Sequence, residues 1–219
     1  MFDRLLAVVA PHQCIGCRVN GPLWCVSCRA AAAVLPARCY RCQRLSAAGR
    51  TCGGCRRSSW VFSATAATTY DGQAKRLIWK LKFDGARAAA DVAAALMAER
   101  CKLPAEAILV PIPTATGRVR RRSYDQAVLL ARRLAVRTAL PCVSLLRRSG
   151  QAQQHTATRG QRLAQLQDAF SACHPLRVRG AHVVLIDDIL TTGATVEAAA
   201  LALKKAGARR VTVAVFAQA

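Results

Sequence analysis

Acidic residues are scarce. Only 11 Asp and Glu stand against 33 Lys and Arg in 219 residues, which leaves a formal charge of +22. A surplus of that size draws polyanions and anionic metabolites to the surface. Aromatic residues are also few, at 5% of the chain, so stacking platforms for bases come down to Trp24, Trp60 and Trp79. Long apolar runs are missing: none approaches the roughly 18 residues that a membrane span needs. The apolar stretch at 5–10 follows Asp3 and Arg4 and is short even for a secretory signal core, so a cytoplasmic chain is expected. Disorder is excluded by an apolar content of 53%. The length suits one large domain or two small ones, at about 150 residues each.

Cysteine is abundant and unevenly spread. Eight of the 11 cysteines fall in four C-x-x-C pairs: Cys14/Cys17, Cys25/Cys28, Cys39/Cys42 and Cys52/Cys55. In such a knuckle both sulfurs can meet one metal while backbone N–H groups point at the thiolates. Two knuckles make a tetrahedral four-thiolate site, so structural zinc at one or two sites is expected. Disulfides would need an oxidising compartment that nothing in the sequence indicates, and the usual iron–sulfur spacings differ. Spacing alone does not choose between sequential and interleaved pairing, but the loops of seven and nine residues between knuckles are short enough to favour the sequential scheme. The arginines among the knuckles offset thiolate charge. Cys101, Cys142 and Cys173 are isolated and read as small buried hydrophobes; His12 reads as no ligand.

After Trp60 the pattern changes to alternating strands and helices. Strands are expected at 61–70, 108–112, 183–186 and 211–216, and helices at 73–83, 86–101, 124–137 and 194–205. The alternation implies an α/β fold, a mainly parallel sheet flanked by helices, following a small cysteine-rich module. The division falls at 1–60 and 61–219. Residues 151–158 read as a polar, mobile loop.

One segment carries recognisable chemistry. Residues 183–195 read VVLIDDILTTGAT: a buried strand, two carboxylates, then a bend that opens a helix. Thr191, Thr192 and Thr195 offer hydroxyl donors, and Gly193 allows close backbone approach. With Ala194 they lead into a helix N-terminus, whose amides and dipole suit a phosphate. Asp187 and Asp188 would be repelled by that phosphate and suit sugar hydroxyls instead. The order of residues implies a phosphosugar. An exposed acidic pair before an ordinary threonine cap is the plainer alternative.

This segment resembles the phosphoribosyl-diphosphate signature of type I phosphoribosyltransferases, and with the four C-x-x-C pairs the chain resembles the ComF family of bacterial competence and DNA-uptake proteins. The likeness runs nearly the whole length. It includes Leu81-Lys82-Phe83, the strand end Val110-Pro111-Ile112-Pro113, the basic stretch from Arg118 to Gln126, and Gln154, Arg162, Ala169 and Phe170. Where the family often has G-F-N-Q, this chain has Ser123-Tyr124-Asp125-Gln126. That change reduces backbone freedom and adds a negative charge.

The resemblance implies a double zinc ribbon and a site for 5-phosphoribosyl 1-diphosphate with magnesium. In it, 191–195 would hold the 5-phosphate, and Asp187 and Asp188 the ribose hydroxyls as the catalytic pair. Thr114, Arg118, Arg122 and Gln126 would lie in or beside a diphosphate loop at 114–122, with Lys82 and 151–162 as a cover. Type I enzymes displace diphosphate from the anomeric carbon with a nitrogen nucleophile. Here the acceptor is unreadable: the sequence stops three residues after the last strand, so an acceptor pocket would be shaped by the cysteine-rich module or by 61–83. The competing function is a non-catalytic adaptor for single-stranded DNA that uses the pocket as a ligand sensor, with competence proteins as partners. Its support is the 15 Lys and Arg against three Asp and Glu in residues 100–180. A bias of genome composition towards Ala and Arg would also produce that charge. Oligomeric state is not legible.

Overall fold

The computed structural model describes residues 13–83, 86–148 and 169–219, without the side chains of Ala86 and Arg118. The expected loop at 151–158, with His12, Gln154 and Arg162, lies outside the described residues.

Two short cysteine-rich turns come first, carrying α1 (Val26–Ala30) and α2 (Gly53–Arg56). Then follow β1 (Ser63–Thr69), α3 (Gly72–Phe83), α4 (Ala86–Arg100), β2 (Ile108–Pro111), α5 (Thr116–Arg122) and α6 (Gln126–Thr138). The chain continues with β3 (Leu146–Arg148), β4 (Phe170–Ala172), α7 (Pro175–Val178), β5 (His182–Leu190), α8 (Ala194–Lys205) and β6 (Arg210–Gln218). The main sheet has the order β1-β6-β5-β2, and every pair in it is parallel. β3 and β4 form a separate antiparallel pair that the sequence pattern does not announce.

Both faces of the sheet are covered. Val184 and Ile186 of β5 face a core built with α3, α4 and α6, whereas Val183 and Leu185 face a core built with α8 and β4. This is the two-residue alternation of a strand buried on both sides. Helix α3 buries Ala74, Leu77, Ile78 and Leu81, one stripe at helical spacing. Helix α6 does the same with Ala127, Leu130, Ala131 and Leu134. Four alanines of α4, Ala89, Ala90, Ala93 and Ala94, are buried and let neighbouring helices approach closely.

Three boundaries differ from the sequence expectation. β5 runs on through Leu190 instead of ending at residue 186, so Asp187 and Asp188 belong to the strand. Their pairing with β6 through Asp187↔Val215 and Ile189↔Ala217 keeps the backbone extended past the carboxylates. Helix α6 starts at Gln126, because the Asp125 side chain accepts from Ala127 N and Val128 N as its cap. And residues 116–122, expected as a loop, wind into α5, whose arginines are good helix formers.

Helix α5 ends at Ser123 in the left-handed region, φ 63° and ψ 7°. This is the position at which the resembling family often has glycine, and an L side chain there costs about 1 kcal/mol or more. Ser123 is exposed and therefore loses little packing on truncation. Ser123→Gly is expected to raise the midpoint of thermal unfolding, an effect of about 1 kcal/mol; an unchanged or lowered midpoint would show that the turn is not strained.

Candidate functional site

The site lies at the C-terminal end of β5, where ligands of open parallel sheets bind. Asp187 Oδ1 accepts the backbone N–H of Asp188 at 2.8 Å. Asp188 is buried and its Oδ2 faces Lys82 Nζ of α3 at 3.0 Å. The strand thus delivers two adjacent carboxylates, and a lysine from another element meets one of them.

Two residues further on the chain bends. Thr191 and Thr192 are exposed, Gly193 is buried at φ 80°, and no side chain among the described residues caps the start of α8. Among the described residues a weak contact, Ala194 N to Thr192 Oγ1 at 3.5 Å, occupies that end, while the helix proper opens with Glu197 N donating to Gly193 O. Ala194 and Thr195 are half-buried in the first turn. An uncapped N-terminus beside two threonines is suited to an anion.

The remaining candidates group on the flank formed by α3, α5 and α6. Arg122 Nη1 donates to Gln126 Oε1 at 2.6 Å, and the Arg122 guanidinium lies 5.1 Å over the ring of Phe83, the neighbour of Lys82. The Tyr124 hydroxyl ties the same flank to the carbonyl of Leu81. Thr114 is engaged differently. Its N–H and its hydroxyl both donate to Asp125, at 2.8 and 3.0 Å. The aspartate that replaces asparagine therefore joins the strand end to the start of α6. Arg118 lies in α5, on the same segment as Arg122.

Sequence reasoning missed Tyr40 and Glu197. The Tyr40 ring lies under Gly193, and its hydroxyl donates to Glu197 of α8. Burial, followed by the Glu197 carboxylate, pushes the phenol up, so it remains a donor. Glu197 in the first turn after a glycine bend was a readable signal; nothing in sequence placed Tyr40 beside it.

The cysteines form two clusters, Cys14/Cys17/Cys25/Cys28 and Cys39/Cys42/Cys52/Cys55, and within each the sulfurs lie within 4.8 Å of one another. Pairing is sequential. Sulfur separations of 3.8 Å for Cys17–Cys25 and 3.5 Å for Cys42–Cys52 approach the value of about 3.8 Å set by a tetrahedron with 2.3 Å zinc–sulfur bonds. Gly16 N and Cys25 N both point at Cys14 Sγ, at 3.4 Å. At Cys14, burial raises the thiol, but donors from Cys25, Cys17 and Gly16 outweigh it and bring it to about 6; Cys39 behaves alike. Cys28 and Cys55 go the other way, pushed up to about 12, first by hydrogen bonding with Cys25 and Cys52, so it is the four-sulfur geometry of each cluster that fits structural zinc. Of the isolated cysteines, Cys101 is buried as expected, but Cys142 and Cys173 are only half-buried.

Asp187 is held well above the usual carboxylate range, first by burial and then by the charge on Asp188. The folded chain therefore retains a proton there that the unfolded chain releases above its ordinary value of 3.8. With the folded value raised, the native state binds more protons, and stability falls as pH rises from 3.8 towards that value. Asp187→Asn removes this loss. Without ligand it is expected to raise the thermal midpoint at pH 7, with a gain that shrinks as the pH drops towards 4. A gain that ignores pH, or none, would contradict the assignment.

A family model described as a phosphoribosyl transferase domain matches residues 119–219. The chain is 36% identical over 121 residues to the DNA utilization protein YhgH of Salmonella typhi, covering 54% of this chain and 52% of that protein. It is 35% identical over 107 residues to the protein of the same name from Salmonella typhimurium, covering 48% and 46%. The chain thus spans about half the length of the curated relatives it matches. Among solved structures, the allosteric regulatory enzyme of purine biosynthesis aligns with a TM-score of 0.43 at 19% identity, over 57% of this chain and 25% of that one. Glutamine phosphoribosylpyrophosphate amidotransferase from B. subtilis aligns with the same TM-score at 20% identity, again over 57% and 25%. The chain thus carries a phosphoribosyl transferase domain at 119–219 with two four-cysteine clusters ahead of it, and is similar to the DNA utilization proteins over about half their length.

Proposed function

We propose that the C-terminal end of β5 binds 5-phosphoribosyl 1-diphosphate together with magnesium. One observation carries this reading: a strand that carries two carboxylates near its C-terminal end runs into a helix start with no side-chain cap and a left-handed glycine. In it, the amides and hydroxyls of 191–195 hold the 5-phosphate. Asp187 and Asp188 accept hydrogen bonds from the ribose hydroxyls. Lys82 leaves Asp188 to meet the diphosphate, and Arg122, steadied by Gln126 and Phe83, supplies a second cation on that side. Thr114 contributes chiefly through its tie to Asp125, which holds the strand end against α6. Arg118 extends the basic flank.

The two carboxylates and the basic flank fit a magnesium complex held mainly by the ligand's own oxygens and water, and magnesium, when bound, neutralises charge on the leaving diphosphate. If transfer to an acceptor follows, the chain's part is positional: it keeps phosphate, ribose and diphosphate apart in fixed geometry while leaving-group charge builds near Lys82 and Arg122. The division at residue 60 then separates a zinc-carrying module from the ligand-binding domain.

Calorimetry on the full chain tests the reading. Wild type should bind the sugar diphosphate with magnesium, and Asp188→Asn and Thr192→Val should each weaken binding by about tenfold or more, equal to 1.4 kcal/mol. Absent binding by wild type, or variants that bind equally, would contradict it.

A second reading, contact with single-stranded DNA, is favoured by the relatives described as DNA utilization proteins and by one surface. Trp79 is exposed, its ring lies 5.7 Å from that of Phe83, and Arg18, Arg76 and Lys80 line a pocket of about 460 Å³ beside it. Trp60 is exposed as well, but Trp24 is only 3% exposed and packs edge-on against Phe216, so it is no stacking platform. Competence proteins would be the partners in this setting. No helix among the described residues is long and apolar enough to cross a membrane. Affinity for a labelled oligonucleotide should fall steeply between low and physiological salt, and Trp79→Ala should weaken it further; binding that ignores both salt and Trp79 would exclude this surface.

A further inference from the structure

The bend at 191–195 does not rest on the sheet alone. A Cβ placed on Gly193 would lie 2.7 Å from Cε2 and 3.1 Å from Cδ2 of Tyr40, so the tyrosine ring is the floor of the bend. Tyr40 sits between Cys39 and Cys42 of the second cluster, is 3% exposed, and is fixed further by Gln43 Nε2 donating to its carbonyl at 2.9 Å. Its hydroxyl meets Ser59 Oγ at 2.9 Å and donates to Glu197 Oε1. Glu197 Oε2 in turn accepts the backbone N–H of Trp60 at 3.0 Å, and Arg41 Nη1 lies 3.8 Å from Oε1. Both oxygens of a helix first-turn carboxylate are thus held by the segment that the second cluster folds. The first cluster makes no such contact among the described residues. It docks on the other face of the sheet, where Trp24 Nε1 donates to Gln73 Oε1 at 2.8 Å and the ring packs on Phe216.

We infer that Tyr40 and Glu197 are positioning residues through which metal in the second four-cysteine cluster sets the geometry of the 191–195 bend. A metal bound by Cys39 and Cys42 holds the knuckle, the knuckle holds the ring, and the ring and carboxylate hold the bend and the start of α8. The consequence for ligand rests on the reading of the bend as an anion site; the coupling itself belongs to the free protein.

The test uses the zinc-loaded full chain, with metal content measured by elemental analysis and amide hydrogen exchange followed along 183–198. Tyr40→Ala and Cys52→Ser should speed exchange in 191–197 by about tenfold while leaving 183–187 protected, as local opening requires. Tyr40→Phe, which keeps the floor and loses only the hydroxyl, should restore most of the protection. Cys17→Ser, which disables the first cluster, should leave the bend as in wild type. The inference is overturned if Tyr40→Ala leaves 191–197 unchanged, if protection is lost equally along β5, or if Cys17→Ser loosens the bend as much as Cys52→Ser does. A parallel titration with the sugar diphosphate and magnesium separates the two ideas. If wild type fails to bind but the exchange pattern holds, the ligand reading falls and the coupling stands. If wild type binds but the exchange pattern is absent, the coupling falls alone.

Discussion

Two carboxyl groups on consecutive residues of a parallel strand are costly to ionise together, and here one is pushed up by burial while the other meets a lysine. Asp187 and Asp188 lie near the C-terminal end of β5, with Lys82 at 3.0 Å from Asp188. Burial and mutual repulsion raise Asp187 instead of spreading the charge. A carboxyl perturbed by burial and a like neighbour at the C-terminal end of a parallel strand is a candidate functional site. The sheet order places this end of β5 between β6 and β2, which lets α3 and α8 approach it from opposite faces.

The cysteine-rich segments are built into the same body. The first inserts Trp24 into the core beside Phe216, and Arg100 of α4 reaches back to the carbonyls of Arg29 and Ala32. The second pairs with the sheet edge through Arg50↔Ser63, and Thr51 N donates to Phe62 O at 2.8 Å. Both cysteine-rich segments are thus packed on the sheet domain, the first on one face and the second along the β1 edge.

Much of this was legible in sequence. The four C-x-x-C pairs placed both clusters, since local spacing is all that a knuckle needs. Helices at 73–83, 86–101 and 194–205 followed from apolar stripes and alanine content, and the bend at Thr191–Thr195 followed from a glycine between threonines. What escaped depended on contacts distant in the chain. The β3–β4 pair joins residues more than twenty apart. The continuation of β5 through two carboxylates depends on β6 pairing, which no local pattern records. The engagement of Thr114 by Asp125 joins the strand end to α6, a contact that no local pattern announces. Tyr40 beneath Gly193 bridges 153 positions of sequence, and a tyrosine between two cysteines carries no mark of its partner.

The most direct measurement is a crystal structure with the sugar diphosphate and magnesium. The account predicts the terminal phosphate seated on the amides of Thr192 to Thr195, with the ribose hydroxyls against Asp187 and Asp188 and the ammonium of Lys82 drawn away from Asp188. A ligand found elsewhere, with the bend bare and the Lys82–Asp188 contact intact, would contradict it.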